Sequence, residues 1–269
     1  MATILDARNL EKRFGAVTAA NDVNAAIEAD SVVGLIGTNG AGKTTFINMI
    51  TGYLKPDSGS IHFGGRDITA LAPRDITRLG ICRSFQIPQL YSSLTVFEHM
   101  MMGLGVVLGN AKLGGFFSRE RPLVPGHGAP AEEVAERILD RFGLTEYRNR
   151  NAQVLPGVVR KLLDIALTMV AKPKILLLDE PTSGVSAEEK FGIMAMVMEA
   201  VKAEGATVLF VEHDMEVVSR FAERVLAFYD GRIIADAPPA IALEDPEVKR
   251  YVVGGLIQPS GDERRPANA

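Results

Sequence analysis

Several features are scarce in this chain, and each scarcity removes a class of protein. One cysteine, Cys82, forbids an internal disulfide and fits a reducing compartment. Alone, it reads as a small buried hydrophobe rather than a reactive thiol. No apolar run approaches the roughly 20 residues needed to span a bilayer. Apolar stretches such as Met100–Val107 and Ile175–Leu178 are short and interrupted. The opening Met1-Ala-Thr-Ile-Leu-Asp-Ala-Arg lacks a basic region followed by an apolar one, so no signal peptide is expected. A chain soluble by itself is the expectation, with any membrane supplied by other subunits. Basic charge is not in excess either. A net charge of −4 and a pI near 5.7 argue against phosphate-tracking electrostatics, so no nucleic-acid partner is expected. No internal repeat is present.

What is present suits one large α/β domain carrying an insertion. The 269 residues are 47% hydrophobic, enough for a sizeable core. Thr3–Leu10 reads as a strand, and Ser31–Ile36 as a buried strand leading into a glycine loop and a helix from about Lys43 to Thr51. A turn at Asp57-Ser-Gly precedes a short strand, Ser60–Phe63. Lys174–Leu178 and Thr207–Val211 are β-rich apolar runs, each followed by a helical pattern, as in parallel strands of one sheet. Arg224–Tyr229, Asp230-Gly231 and Arg232–Asp236 predict a hairpin. The middle, about 87–170, differs. It holds helix-like Val96–Leu104, a Gly/Arg/Pro-rich loop over 109–130, and helices over Ala131–Phe142 and about Val158–Val170. The loop is long enough to be functional or mobile. The core is therefore expected over 1–86 and 171–258, the helical insertion over 87–170, and a flexible tail over 259–269.

Gly37-Thr-Asn-Gly-Ala-Gly42-Lys43-Thr44 matches the G-x-x-x-x-G-K-[ST] phosphate loop. Its glycines let backbone N–H groups turn inward around a polyphosphate, and the following helix aims its positive end at the same anion. Lys43 can reach the β- and γ-phosphates, and the Thr44 hydroxyl can bind Mg²⁺. A plain glycine turn between strand and helix would not require Lys-Thr.

Ile175-Leu-Leu-Leu-Asp179-Glu180-Pro181 is an apolar strand ending in two carboxylates. In isolation such a pair more often marks a helix start or a solvated turn. Beside a phosphate loop, Asp179 can hold the metal through its water shell, and Glu180 can polarise the attacking water. His213 follows another apolar strand, where an imidazole could donate to a γ-phosphate and sense its loss. A lone histidine is more often structural; its position at a strand end is what singles this one out. Gln86, where the α/β part meets the insertion, could touch metal or water with a neutral amide.

The order of these elements resembles the ABC ATPase family over nearly the whole chain. That resemblance implies a P-loop NTPase, RecA-like α/β core with an N-terminal antiparallel β-subdomain and an inserted α-helical subdomain. It implies Phe14, in Asn9-Leu-Glu-Lys-Arg-Phe14-Gly, as an adenine-stacking ring. Asn39, Gly40, Ala41, Gly42, Lys43, Thr44 and Thr45 become the Walker A phosphate contacts. Gln86 becomes the Q-loop glutamine and a metal ligand with Thr44 and Asp179. Glu180 becomes the catalytic base, Ser183-Gly-Val-Ser186 the D-loop, and His213 the switch histidine. Catalysis would then rest on Lys43, Gln86, Glu180 and His213, with ATP and Mg²⁺ bound.

Within that family the chain is most similar to ATPases of uptake systems for branched-chain, or related polar, amino acids and amides. Leu90-Tyr-Ser-Ser-Leu-Thr-Val-Phe-Glu, the long segment after Met102, Glu212-His-Asp-Met and the closing Val248-Lys-Arg-Tyr-Val-Val-Gly-Gly carry that likeness. The likeness implies a second ATPase subunit, two transmembrane permease subunits and, indirectly, a periplasmic binding protein, with this chain peripheral on the cytoplasmic face of the membrane. Alternatives are the ATPase of a lipid or lipopolysaccharide exporter, which the long 103–130 segment disfavours, and a soluble ABC protein. The latter usually carries two cassettes or a long coiled coil. A P-loop GTPase would want Asn-Lys-x-Asp, which is absent from the sequence.

One motif departs from the family. Its signature, Leu-Ser-Gly-Gly-Gln, stands here as Leu155-Pro156-Gly157-Val158-Val159. Pro156 removes a hydroxyl and an N–H, Val158 places a branched side chain where glycine admits phosphate, and Val159 removes an amide. Ser186 stands where the D-loop often has aspartate. Two outcomes are open. Either the composite site completed by this signature hydrolyses ATP poorly and the pair is asymmetric, or Arg160 and the helix N-terminus supply enough positive field.

Overall fold

The computed structural model describes residues 2–84, 90–109 and 123–254; Gln86, the segment 110–122 and the tail from 255 lie outside the described residues. The chain opens with β1 (Thr3–Phe14) and β2 (Val17–Glu28), a long hairpin. β1 runs four residues beyond Leu10. Its polar end, Glu11-Lys12-Arg13, still pairs with β2 and with Ser58, so ladder hydrogen bonds extend a strand that hydrophobic patterning alone ends early. After β3 (Val32–Gly37) and α1 (Lys43–Ile50), β4 (Ser58–Phe63) and β5 (Arg66–Asp67) complete an antiparallel sheet of order β2-β1-β4-β5.

α2 (Pro73–Leu79) then leads into a three-residue edge strand, β6 (Ile81–Arg83). α3 (Val96–Gly109), α4 (Ala131–Arg141) and α5 (Gly157–Met169) occupy the middle of the chain. β7 (Ile175–Asp179), α6 (Lys190–Ala203), β8 (Thr207–Val211), α7 (Met215–Phe221), β9 (Arg224–Tyr229) and β10 (Arg232–Ala237) follow. The second sheet has the order β10-β9-β3-β8-β7-β6, parallel except for the β9–β10 hairpin. No described helix is long and apolar enough to cross a membrane.

β3 and β8 are buried throughout and β7 is buried up to Asp179, because both faces of the sheet are covered. Alternate residues serve different cores. Val33, Leu35, Leu177 and Leu209 face α1 and the antiparallel sheet, joined by Phe46, Ile50 and Ile61. Val32, Ile36, Leu176, Leu178 and Phe210 face the other way and merge with apolar residues of α3 to α6. The period-2 alternation of strands thus sorts one sheet between two cores. Cys82 sits in the second core, and burial pushes its thiol up to about 11, as expected of a small hydrophobe.

The β9–β10 turn also braces the site. Asp230 and Gly231 both adopt positive φ, as a two-residue type I′ hairpin requires. Gly231 N donates to Ala41 O at 3.1 Å, and Gly231 O accepts from Asn21 N at 2.8 Å, tying the phosphate loop to both sheets.

Candidate functional site

β3, β7 and β8 all end at one edge of the sheet, where loops meet outside the carboxyl ends of parallel strands. β3 delivers the phosphate loop. Glycine is required there by geometry. A Cβ on Gly37 would lie 2.5 Å from Phe228 O, and one on Gly42 (φ +107) would lie 2.7 Å from Ala19 O. Gly42 is also the N-cap of α1 and offers no side-chain acceptor, so the first-turn N–H groups are free of any side-chain cap. Those N–H groups and the helix dipole make an anion cradle.

Lys43 lies almost wholly buried at the base of this cradle, its Nζ donating to Gly37 O at 2.6 Å and Thr38 O at 3.0 Å. Burial pulls its pKa down, opposed by the negative charges of Glu180 and Asp179. Lys43 and the two carboxylates therefore share one electrostatic environment. Around them opens a cleft of about 570 Å³ lined by Asn39, Gly40, Ala41, Gly42, Lys43, Thr44 and Thr45 on one side and Asp179, Glu180 and His213 on another. Phe14 lines the same cleft with its ring half exposed, as a base-stacking platform must be.

Asp179 is the last residue of β7. Its Oδ2 accepts from Arg83 Nη2 at 2.6 Å, while Arg83 Nη1 donates to Asn48 Oδ1 at 2.7 Å. Arg83 thus links the edge strand, α1 and the first carboxylate. Glu180 has φ +48, a left-handed backbone that costs about 1–2 kcal/mol for an L-residue. This turn sends its carboxylate toward His213, whose Nε2 lies 3.0 Å from Glu180 Oε1. With the proton on Nε2, the imidazole donates to the carboxylate.

Beneath that pair lies a polar layer that sequence patterning did not single out. Glu212 is buried and accepts from Thr182 N at 2.8 Å and Thr182 Oγ1 at 2.7 Å. Burial pushes its carboxyl upward, opposed by those hydrogen bonds and by Lys161. Lys161, buried on α5, donates to Glu180 O and to Ser183 O. The available signals were weak: a carboxylate directly after an all-apolar strand, a lysine on the apolar face of a helix, and an arginine closing a three-residue strand.

The signature segment begins α5, with Pro156 as N-cap in an extended conformation and no side-chain cap. Pro156 and Gly157 are exposed and Val158 is half-buried, whereas Val159 turns inward and is buried among core residues. Arg160 is exposed. In the D-loop, Ser186 Oγ donates to Glu189 Oε2 at 2.7 Å and accepts from Glu189 N at 3.3 Å. Gln86 lies outside the described residues.

A phosphate cradle facing strand-end carboxylates across one cleft is the architecture of P-loop nucleotide-binding proteins. Residues 20–183 match the family model described as ABC transporter. The chain is 34% identical to the high-affinity branched-chain amino acid transport ATP-binding protein BraF of Pseudomonas aeruginosa, over 93% of this chain and 98% of that protein. It is 35% identical to the probable branched-chain amino acid transport ATP-binding protein LivG of Archaeoglobus fulgidus, over 93% and 95%. The crystal structure of the ADP conformation of MJ1267, an ATP-binding cassette of an ABC transporter, superposes with a TM-score of 0.78 at 32% identity, covering 93% of this chain and 98% of that one. The chain belongs to the ABC transporter family, and its fold is that of the family's nucleotide-binding cassette.

Proposed function

We propose that this chain is the ATP-hydrolysing subunit that powers an ABC importer of branched-chain amino acids, or of related amino acids and amides. One observation carries the reading: Lys43, Asp179 and the Glu180–His213 pair converge on one cleft at the ends of three parallel strands. Support for the substrate class comes from the relatives, named for branched-chain amino acid transport over nearly their full length.

The polyphosphate of ATP would lie on the backbone N–H groups of Asn39 to Thr45, with Lys43 swinging from its carbonyl partners to the β- and γ-phosphates. The adenine would stack on Phe14. Thr44 and Asp179 offer a hydroxyl and a carboxylate, few and hard oxygen donors that suit Mg²⁺, which retains waters and phosphate oxygens; Gln86 would join them. Bound there, Mg²⁺ would neutralise charge on the β- and γ-phosphates. Glu180 would polarise the attacking water, and His213, its Nε2–H released from Glu180, would donate to the γ-phosphate.

A second ATPase subunit would close head to tail, its nucleotide meeting the first turn of α5 at Pro156, Gly157 and Val158. Because Pro156 offers no hydroxyl and Val159 points into the core, that contact would rest on Gly157, Arg160 and the helix end alone. The resulting pair would be asymmetric. A permease would dock on the Leu90–Met102 surface, where Tyr91 and Met102 are exposed, with a second permease completing the transporter, the chain on the cytoplasmic face and a periplasmic binding protein supplying substrate.

Uptake of labelled leucine, isoleucine and valine by cells lacking the gene tests the substrate class. Lost uptake restored by the wild-type gene is the expected result. Undiminished uptake of all three, with another solute's uptake lost, would overturn that class.

A further inference from the structure

We propose that Lys161 is a positioning residue for Glu180, holding the catalytic turn against the helix that carries the signature. The proposal rests on the assignment of Glu180 as the base.

Lys161 lies on α5, four residues beyond its start at Gly157, and only 9% of it is exposed. A buried ammonium is costly unless its three donors find acceptors. Two of its acceptors are the main-chain oxygens at either end of one four-residue turn: Glu180 O, and Ser183 O at 3.2 Å. The same turn is closed by Ser183 N donating to Glu180 O at 3.1 Å, so Glu180 O is a shared acceptor. On the other side, Glu180 N donates to Val211 O at 3.1 Å on β8. Glu180 is therefore gripped at its amide by the sheet and at its carbonyl by α5. Its backbone is left-handed, and its carboxylate meets His213.

Glu212 completes the cradle. It fixes the middle of the turn through Thr182 N and Oγ1, and its charge offsets that of Lys161. With the ammonium gone, Glu180 O would lose its link to α5 while Thr182 stayed fixed. The carboxylate would keep its chemistry and lose its place. The position of the base is thereby tied to that of α5, the helix whose first turn faces the partner's nucleotide in the proposed pair.

The test compares Lys161→Met and Lys161→Arg in the full chain, assembled with its permease and ATPase partners. ATP hydrolysis is measured alongside equilibrium binding of a fluorescent ATP analogue. Lys161→Met should lower kcat by about tenfold or more, as expected for a displaced catalytic group, while Kd shifts by less than about twofold. Lys161→Arg, still able to donate to both carbonyls, should recover most of the loss. If the methionine chain fails to fold, Lys161→Gln, with a neutral donor, should give an intermediate kcat. An unchanged kcat in the folded Met or Gln chain, or a loss confined to Kd, overturns the proposal. Glu180→Gln measured in parallel separates the two ideas, because turnover surviving there would overturn the base assignment itself.

Discussion

Arg83 offers a quantitative test of how the metal-side carboxylate is held. Its Nη2 lies 2.6 Å from Asp179 Oδ2, with the two side chains 13% and 15% exposed. Removing one member of a fully buried ion pair costs about 3–5 kcal/mol, chiefly because the other charge is left uncompensated. Here both side chains retain some contact with water, and screening lowers the figure. Arg83→Met should therefore destabilise the protein by about 2–3 kcal/mol, with the loss of the Asn48 contact included. For a chain of this size that lowers Tm by about 5–10 °C. Asp179→Asn keeps the shape and removes the charge, so the double variant should recover part of the loss, with a coupling of about 1–2 kcal/mol. Urea unfolding of the four proteins measures it. Losses additive to within about 0.5 kcal/mol would show that the pair contributes nothing specific.

Three further outcomes follow from the same geometry. Glu212 has a raised folded-state pKa, so its contribution to stability is full below the ordinary glutamate range and is lost as pH rises through the raised value. The Tm of Glu212→Gln should therefore gain on that of wild type as pH increases, and parallel Tm–pH curves would refute this. Phe14→Ala should weaken ATP binding by about 3–10-fold while Phe14→Tyr does not, given about 0.5–1.5 kcal/mol for ring stacking; an unchanged Kd would remove Phe14 from the site. With ATP, the Glu180→Gln chain alone should remain monomeric in size-exclusion chromatography, because its own signature offers few donors. A tight ATP-dependent homodimer would end the asymmetric reading.

Much of this architecture was legible because it rests on backbone rules. The phosphate loop declares itself through glycines that no other residue can replace, as the close approaches at Gly37 and Gly42 explain. Thr207–Val211 was legible to the residue because both faces of β8 are covered. Other features were hidden where long-range pairing overrides local pattern. The end of β1 is polar yet paired, α3 continues five residues beyond Leu104, and β6 has three residues and exists through its pairing with β7. The supporting layer of Arg83, Lys161, Thr182 and Glu212 was hidden for a different reason. Its members come from four separate stretches of sequence and meet only in the folded chain. A charged residue on an apolar face has no visible partner until the strand ends converge.

Binding and hydrolysis of ATP by Glu180→Gln, measured side by side, test the central assignment most directly. The phosphate loop and Phe14 are untouched by this change, so ATP should bind with wild-type Kd. Turnover should fall by about 10²–10⁴-fold, the usual contribution of a general base. Hydrolysis persisting near the wild-type rate would contradict the assignment of Glu180 as the group that activates water.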